Sequence, residues 1–232
     1  MGTPPAVLSF AMASPLPPIT ELSRRPSPVP TPQALALYDD TLWISSRDER
    51  RLCGVRPQDW TVVEEVDTPG TAWGAAAAHG VVYLVCGEGA DDDRYLRRYT
   101  PGQGVDEAYR IAAPELTGSY LSFDGQDLHL SQWYKHRVLR LDPAGKILRT
   151  LDIGEEICGH TFVDGWLYML RGTEKDGESW HIARLDPRQE VPRVEPLAQV
   201  PFAARSLAFD GEQFWTNHRA ANETVAFSLP AA

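Results

Sequence analysis

The stretch Ser206–Ala220, SLAFDGEQFWTNHRA, decides the fold, because its pattern occurs five times along the chain. It contains an apolar run, an Asp210-Gly211 turn and a second apolar run that carries Phe214-Trp215. Asp-Gly between alternating apolar runs is a strong β-hairpin signal, since glycine adopts positive φ at little cost. The stretch therefore predicts two antiparallel strands, with His218 and Arg219 at the far end of the second one.

Four more copies of this hairpin precede it. Each copy has an apolar residue followed by an aromatic-type residue in its second strand, and the five pairs are Leu42-Trp43, Val82-Tyr83, Leu128-His129, Leu167-Tyr168 and Phe214-Trp215. A third strand then ends on a proline, and these prolines are Pro57, Pro101, Pro143, Pro187 and Pro230. A fourth strand follows in four of the units. A repeat of about 43 residues with four strands is typical of a β-propeller blade.

We therefore predict an all-β fold, a single five-bladed β-propeller of four-stranded blades. The fifth unit has no fourth strand, so we expect the segment 17–26, PPITELSRRP, to supply it and to close the ring. The predicted domain covers 1–232. Residues 1–33 are a Pro-rich leader, and the blades cover about 34–71, 72–118, 119–158, 159–204, and 205–232 with 17–26. A disordered tail is the alternative for the leader.

Composition narrows the function classes. The 232 residues carry a formal net charge of −10, which argues against nucleic acid and anionic membranes as partners. Cys53, Cys86 and Cys158 are an odd number without metal-type spacing, so we expect free thiols in a reducing, cytoplasmic setting. The N-terminus lacks the basic region of a secretion signal. We expect a monomer whose partner is a small-molecule ligand.

The repeat also predicts where a site would lie. In a propeller, the start of each first strand and the end of each second strand emerge on one face of the ring, and ligand sites usually lie there. The starts of the first strands are Gln33, Trp73, Ser119 with Tyr120, Cys158 with His160, and Arg205. The ends of the second strands are Ser46, Cys86, Gln132, Arg171 and His218, and the loops beyond carry Arg47, Glu88, Trp133, Tyr134, Glu174 and Arg219.

Two histidines are the predicted catalytic residues. His160 occupies a position that is aliphatic or small in the other blades, and a polar ring there needs a partner. His218 ends a second strand in the adjacent blade. An imidazole that is neutral near pH 7 suits acid/base work. The alternatives are a hydrogen-bonded core histidine for His160 and a solvated loop histidine for His218.

The predicted substrate-binding residues are cationic, aromatic or polar. Arg171 and Arg205 lie on neighbouring blades and could clamp a carboxylate or phosphate, or each could pair with a local acid such as Glu174 or Asp210. The full predicted set is Arg171, Arg205, Trp73, Tyr120, Gln132, Trp133 and Glu88. For the aromatic members, packing between blades is the alternative.

We expect no cofactor and no metal. A divalent metal held by Glu88, His160 and His218 is a weaker alternative, because nothing in the spacing demands it. The run Asp91–Asp93 lacks EF-hand spacing and is better interpreted as a solvated acidic loop.

The repeated form LAFDG…LW resembles the propellers that include the streptogramin-lyase-like, YncE-like and SMP-30/gluconolactonase-like families, over essentially the whole chain. Streptogramin lyases often carry an acid three residues after the aromatic position, where this chain has Ser46, Cys86, Gln132, Arg171 and His218. Length and blade number are also similar to plant-type glutaminyl cyclases, and GTAWGAA at 70–76 is similar to one of their blade starts. Their catalytic Glu after an LY pair is replaced by Ile44 here.

Two functional hypotheses follow. The first is a small-molecule-binding propeller with a cationic and aromatic pocket at the axis, acting as a metal-free lyase, cyclase or hydrolase on an anionic or polar substrate. The second is a non-catalytic interaction or scaffold propeller, in which Trp133, Tyr134 and the acidic loop contact a protein.

Overall fold

A computed structural model describes residues 15–175 and 177–231. The prediction that the N-terminus is not a secretion signal concerns residues that include 1–14, which lie outside the described residues. Five antiparallel sheets and three short 3-10 turns make up the secondary structure of the described part. Within that part, no helix has the length and apolar character needed to cross a membrane.

The strands form five blades, as the repeat predicts. Blade one contains β2 (Pro32–Tyr38), β3 (Thr41–Ser46), β4 (Arg51–Arg56) and β5 (Thr61–Asp67). Blade two contains β6 (Thr71–Ala78), β7 (Val81–Glu88), β8 (Asp93–Thr100), β9 (Gly104–Val105) and β10 (Ile111–Ala112). Blade three contains β11 (Leu121–Phe123), β12 (Leu128–Gln132), β13 (Arg137–Leu141) and β14 (Ile147–Asp152). Blade four contains β15 (Glu156–Val163), β16 (Trp166–Thr173), β17 (Ser179–Leu185) and β18 (Glu195–Val200). Blade five contains β19 (Ala204–Phe209), β20 (Phe214–His218), β21 (Glu223–Ser228) and β1 (Thr20–Pro26).

The Asp-Gly turn stabilises the inner hairpin of blades five and three. Oδ1 of Asp210 accepts the backbone N–H groups of Glu212 and Gln213, and its Oδ2 accepts Nε1–H of Trp215 at 2.7 Å. One carboxylate thus fixes both the turn and the aromatic ring of the next strand. Blade three repeats the device with Asp124 and the ring of His129, 2.9 Å apart. His129 is therefore a substitute for the aromatic residue of the other blades.

The ring is closed by the N-terminal strand, as predicted. β1 pairs with β21, so that blade five has the order β1-β21-β20-β19. A side-chain lock reinforces the pairing, because Arg24 binds Glu223 at 2.5 Å and Glu21 at 2.7 Å. Ile19, just before β1, is buried in the cluster that contains Trp180 and donates its N–H to the carbonyl of Gln199 at 3.0 Å. The closing segment therefore joins blade five to blade four.

The first strands of the blades meet around the axis. β2 contacts β6, β6 contacts β11, β11 contacts β15, β15 contacts β19, and β19 returns to β2. Glycine permits the closest approaches. A Cβ on Gly159 would lie 2.4 Å from the backbone of Ser206, and one on Gly74 would lie 2.5 Å from Cα of Tyr120. These two positions admit no side chain without moving a neighbouring blade.

Two details differ from the sequence-based prediction. The fourth strand of blade two, a single strand in the predicted repeat, is split into β9 and β10. Asp106 causes the break, because its Oδ1 accepts the N–H groups of Ala108 and Tyr109 and so holds a turn. The predicted boundary between blades three and four, at 158/159, falls inside β15.

The three cysteines are free and buried, as expected for Cys53, Cys86 and Cys158. Burial raises the pKa of the Cys86 thiol to about 12 and that of Cys53 to about 11. These thiols stay protonated at neutral pH and serve as apolar packing groups.

The closing segment gives a first prediction. Replacing Ile19 by alanine removes a side chain that is 7% exposed, so we expect a loss of about 2–3 kcal/mol in the free energy of unfolding. Denaturant unfolding measures it. Leu22→Ala on the adjoining strand β1 is the matched control, because Leu22 is 52% exposed and should change stability by no more than about 0.5 kcal/mol. Equal effects of the two substitutions would mean that β1 is not packed as described.

Candidate functional site

Irregular pairing at the start of the first strands directs side chains to one end of the axis. The register shifts between Ala72 and Gly74 in blade two, and similar shifts occur in blades one, four and five. A β-bulge adds a residue to one strand and re-aims its side chain. In blade two the extra residue is Trp73, which lines the end of the axis where the second strands finish. We call this end the mouth.

A cavity of about 270 Å³ opens at the mouth. Four of the predicted site residues line it: Trp73, Tyr120, Trp133 and Arg205. Six more lining residues come from the predicted starts and loops: Gln33, Arg47, Ser119, Tyr134, Glu174 and Arg219. Arg94 completes the wall, and sequence reasoning missed it, because it lies on β8, a third strand, whose residues were not expected to reach the mouth.

A hydrogen-bond chain crosses the floor of the cavity. The amide Nε2 of Gln33 donates to the carbonyl of Trp73 at 3.2 Å and to the hydroxyl of Tyr120 at 2.9 Å. Its Oε1 accepts a hydrogen bond from Nη1 of Arg219 at 2.6 Å. The orientation of the amide is fixed, because a backbone carbonyl only accepts and a guanidinium only donates. Gln33 therefore links Arg219 to Tyr120.

Arg205 is buried and its charge is compensated. Nη2 of Arg205 binds Glu174 at 2.9 Å and Glu178 at 2.8 Å, so the alternative of a local acid partner is present in the structure. Its guanidinium lies 5.4 Å from the ring centre of Trp133 and 5.3 Å from that of Trp180. Burial is the largest single effect on the pKa of Arg205 and lowers it, but the hydrogen bond and charge of Glu178 and the charges of nearby groups together raise the pKa above its usual value. Arg205 is thus a permanently charged part of the wall.

Trp73 is held by the acidic loop of blade two. Its Nε1–H donates to Oδ1 of Asp92 at 3.2 Å, and Arg94 binds the other carboxylate oxygen of Asp92 at 2.7 Å. The guanidinium of Arg94 also lies 4.6 Å from the ring centre of Trp73. Asp92, predicted to belong to a solvated acidic loop, therefore positions one wall of the cavity.

Two arginines at the mouth lack a carboxylate partner among residues 15–175 and 177–231. Arg219 contacts Gln33 but no acid, and Arg47 lies 5.9 Å from the ring centre of Trp73. Burial lowers the pKa of Arg219, and the positive charges of Arg205 and Arg47 lower it further. The mouth therefore concentrates positive charge in a chain whose net charge is −10. A bound anion would relieve this repulsion.

His160 lies away from the mouth cavity. Its Nε2 is 3.2 Å from the carbonyl of Tyr120, so this nitrogen carries the proton, and its Nδ1 accepts the hydroxyl of Ser122 at 2.6 Å. The ring borders a smaller cavity of about 100 Å³ whose other walls are mostly apolar. Burial lowers the pKa of His160 to about 3, and the charge of His129 contributes. This arrangement matches the alternative of a hydrogen-bonded core histidine.

His218 also lies outside the mouth cavity and is bound by the closing strand. Its Nδ1 is 3.1 Å from Nη1 of Arg24, and its ring packs against Phe202 at 4.9 Å between centroids. Burial lowers the pKa of His218, and the charge of Arg24 adds to the effect. The structure therefore does not bring His160 and His218 to one cavity.

Three further predicted site residues are engaged elsewhere. Arg171 binds Glu155 at 3.1 Å, and Gln132 donates to the carbonyls of Pro114 and Thr117. Glu88 pairs with Arg97 and with Arg110, each at 3.0 Å. None of Arg171, Gln132 and Glu88 borders the mouth cavity.

The described residues contain no group of three His, Cys, Asp or Glu side chains that could hold a metal ion. Glu88, His160 and His218, the weaker alternative from the sequence, lie against different partners in blades two, four and five.

Comparison with known proteins supports the fold. No protein-family model and no curated protein sequence matches the chain. Among solved structures, the chain is similar to a Myxococcus xanthus glutaminyl cyclase, with a TM-score of 0.70, 12% identity, and coverage of 94% of this chain and 100% of the other. It is also similar to a Streptomyces coelicolor aldose sugar dehydrogenase in its PQQ-bound form, with a TM-score of 0.61, 13% identity, and coverage of 91% and 98%.

A third similar structure is the Kuenenia stuttgartiensis hydrazine synthase, with a TM-score of 0.55 and 13% identity, over 82% of this chain. This chain spans 62% of the length of that one. These neighbours are propeller enzymes. At such low identity the similarity shows the fold, and the function has to be argued from the site.

The environment of His160 predicts a pH effect on stability. The pKa of His160 is lowered in the folded state. Its contribution to the free energy of unfolding is therefore complete above about pH 6.5 and is lost as the pH falls toward about 3. We expect His160→Gln to remove this dependence. Its stability deficit relative to wild type should shrink by about 2 kcal/mol between pH 7 and pH 4.5. Urea unfolding at both values measures the deficit, and a deficit that stays constant would show that His160 is not buried as a neutral ring.

Proposed function

We propose that the mouth cavity binds a small molecule that carries a carboxylate and a flat apolar group. This proposal rests on the hydrogen bonds that link the side chains of Arg219, Gln33 and Tyr120 in a fixed arrangement. Because both Nε2 hydrogens of Gln33 are used, the hydroxyl oxygen of Tyr120 accepts and its own hydrogen must point elsewhere. No acceptor for that hydrogen occurs among the described residues. Tyr120 therefore offers a hydrogen-bond donor beside the guanidinium of Arg219.

The charge distribution favours an anion. Arg94 and Arg205 are paired with carboxylates, whereas Arg47 and Arg219 have no such partner in the described part of the chain. A carboxylate can accept from a guanidinium and a hydroxyl together, and such charge-assisted bonds are stronger than neutral ones. Tyr120 and Arg219 thus form a donor pair for a carboxylate.

The walls favour a flat group. Trp73 and Trp133 border the cavity, and Tyr134, which is 84% exposed, stands at its rim on the 3-10 turn Trp133–Lys135. The lining combines four aromatic side chains with polar and charged groups, and small-molecule sites commonly place polar groups beside aromatic walls. An aromatic ring of the ligand would pack against these side chains and gain about 0.5–1.5 kcal/mol per aromatic contact beyond its area.

The sequence predicts a metal-free elimination, cyclisation or hydrolysis driven by His160 and His218. Neither histidine is among the described residues that line the mouth. Glu174 is the carboxylate on that wall, and it lies 2.9 Å from Arg205. A proton transfer at this site would therefore use Glu174 as acceptor and Tyr120 as donor. We propose ligand binding as the primary activity and assign any acid/base role to this pair.

Calorimetric titration with a matched pair of probes tests the proposal. Indole-3-propionate carries the ring and the carboxylate, and indole-3-propionamide replaces the charge by a neutral amide. We expect the acid to bind at least about tenfold more tightly, since hydrogen bonds to a charged group contribute about 1.5–3 kcal/mol. Arg219→Met and Tyr120→Phe should each weaken binding of the acid by about tenfold or more.

Arg171→Met is the control, because Arg171 pairs with Glu155 outside the cavity and should leave affinity unchanged. Equal affinity for acid and amide, or unchanged affinity in Arg219→Met, would contradict the proposal. If neither probe binds, the interaction-propeller hypothesis becomes the better explanation of the exposed Trp133–Tyr134 turn.

A further inference from the structure

A second cavity adjoins the mouth. It has a volume of about 210 Å³ and shares Arg205 and Arg219 with the mouth cavity, so these two arginines border both cavities. Its other lining residues are small or polar: Thr31, Glu178, Ala203, Ala220 and Asn222. The anion-binding groups therefore stand between an aromatic cavity and a small polar one.

Thr31 lines this second cavity and carries a hydroxyl that no described residue uses. Its Oγ1 is buried and has no hydrogen-bond partner among the described residues. Its backbone has φ of 45°, an outlier for a β-branched residue, and such strain persists only where the surroundings enforce it. Asn222 Oδ1 accepts the N–H of Thr31 at 2.7 Å, and the carbonyl of Thr31 accepts the N–H of Arg47 at 3.0 Å. The backbone of Thr31 is thus held in place, while its hydroxyl has no partner among the described residues.

The volumes also indicate a two-part site. Ligand pockets usually measure about 300–1,000 Å³, and the mouth cavity alone, at about 270 Å³, falls below that range. With the adjoining cavity of about 210 Å³ the site comes within it. A ligand that fills both has its anionic group in the middle, with one arm in each cavity.

We propose that the ligand is an N-acylated aromatic amino acid or the C-terminal aromatic residue of a short peptide, an inference that rests on the function proposed above. Its α-carbon bears a carboxylate, an aromatic side chain and an amide, which is the branching that the site requires. The carboxylate binds Arg219 and Tyr120, and the ring packs against Trp73 and Trp133. The amide enters the second cavity, where the hydroxyl of Thr31 is its hydrogen-bond partner.

The size of the second cavity limits the acyl group. Ala203 and Ala220 form part of its wall, so a short acyl chain or a single further residue fits better than a second aromatic group. Glu178 on the same wall would repel another carboxylate and can accept the amide N–H. A neutral amide is therefore favoured over a second acid.

N-acetyl-L-tryptophan and indole-3-propionate test this inference, because they differ only in the acetamido group. We expect wild type to bind the acetylated compound about tenfold more tightly in calorimetric titrations. Thr31→Val keeps the β-branched shape and removes the hydroxyl, so it should reduce this preference to about threefold or less and leave affinity for indole-3-propionate unchanged. Thr150→Val on the exposed face of β14 is the matched control and should retain the full preference.

A second variant fills the cavity. Ala203→Leu should weaken binding of N-acetyl-L-tryptophan by about tenfold and have no effect on indole-3-propionate. Equal affinity of wild type for the two compounds, or equal losses for both compounds in the Thr31 and Ala203 variants, would overturn the inference while the proposed function stands. Failure of both compounds to bind wild type would instead refute the proposed function.

Discussion

The structure depends on how closely the first strands approach one another at the axis. Gly159 in blade four and Gly74 in blade two face the backbone of the next blade at distances that exclude any Cβ. Interiors packed at this density leave no room for large side chains along the middle of the axis. Among the described residues, cavities border the axis at its two ends. One end holds the small cavity beside His160, and the other, where the β-bulges lie, holds the mouth.

The chemistry of the mouth follows from which charges are compensated. Burying a guanidinium is costly unless a partner offsets the lost hydration, and Arg205 has two carboxylates for this purpose. Among the described residues, Arg219 has only the amide oxygen of Gln33 as a hydrogen-bond acceptor for its side chain. Together with the hydroxyls of Tyr120 and Thr31, it forms a set of groups whose hydrogen-bonding capacity exceeds what the described protein atoms use. Tyr120 and Arg219 border the mouth cavity and Thr31 borders the adjoining one, and this is the physical basis for assigning a ligand to the pair of cavities.

The repeat made the blades, the closing strand and most of the mouth predictable, because turn chemistry and strand alternation are local. It could not show which partner each side chain meets. His160 was singled out correctly as a deviation, but its partner Ser122 belongs to the neighbouring blade, and the pair forms only through packing. His218 is bound by Arg24, which is 194 residues distant in sequence. Arg94 reaches the mouth from a third strand by lying over Trp73, a contact that depends on side-chain conformation and not on the period of the repeat.

The closing strand has a consequence for how the chain reaches this state. Arg24 and Glu223 are 199 residues apart, so β1 has no partner until β21 is available. Ring closure is therefore the most non-local step of folding. The entropic cost of closing this loop falls in the single step in which β1 pairs with β21. Folding should accordingly be slow, with β1 last to dock. Because β1 pairs with β21, the first and last strands hold each other in blade five, and no blade can unfold from a free chain end. This arrangement favours a long-lived native state.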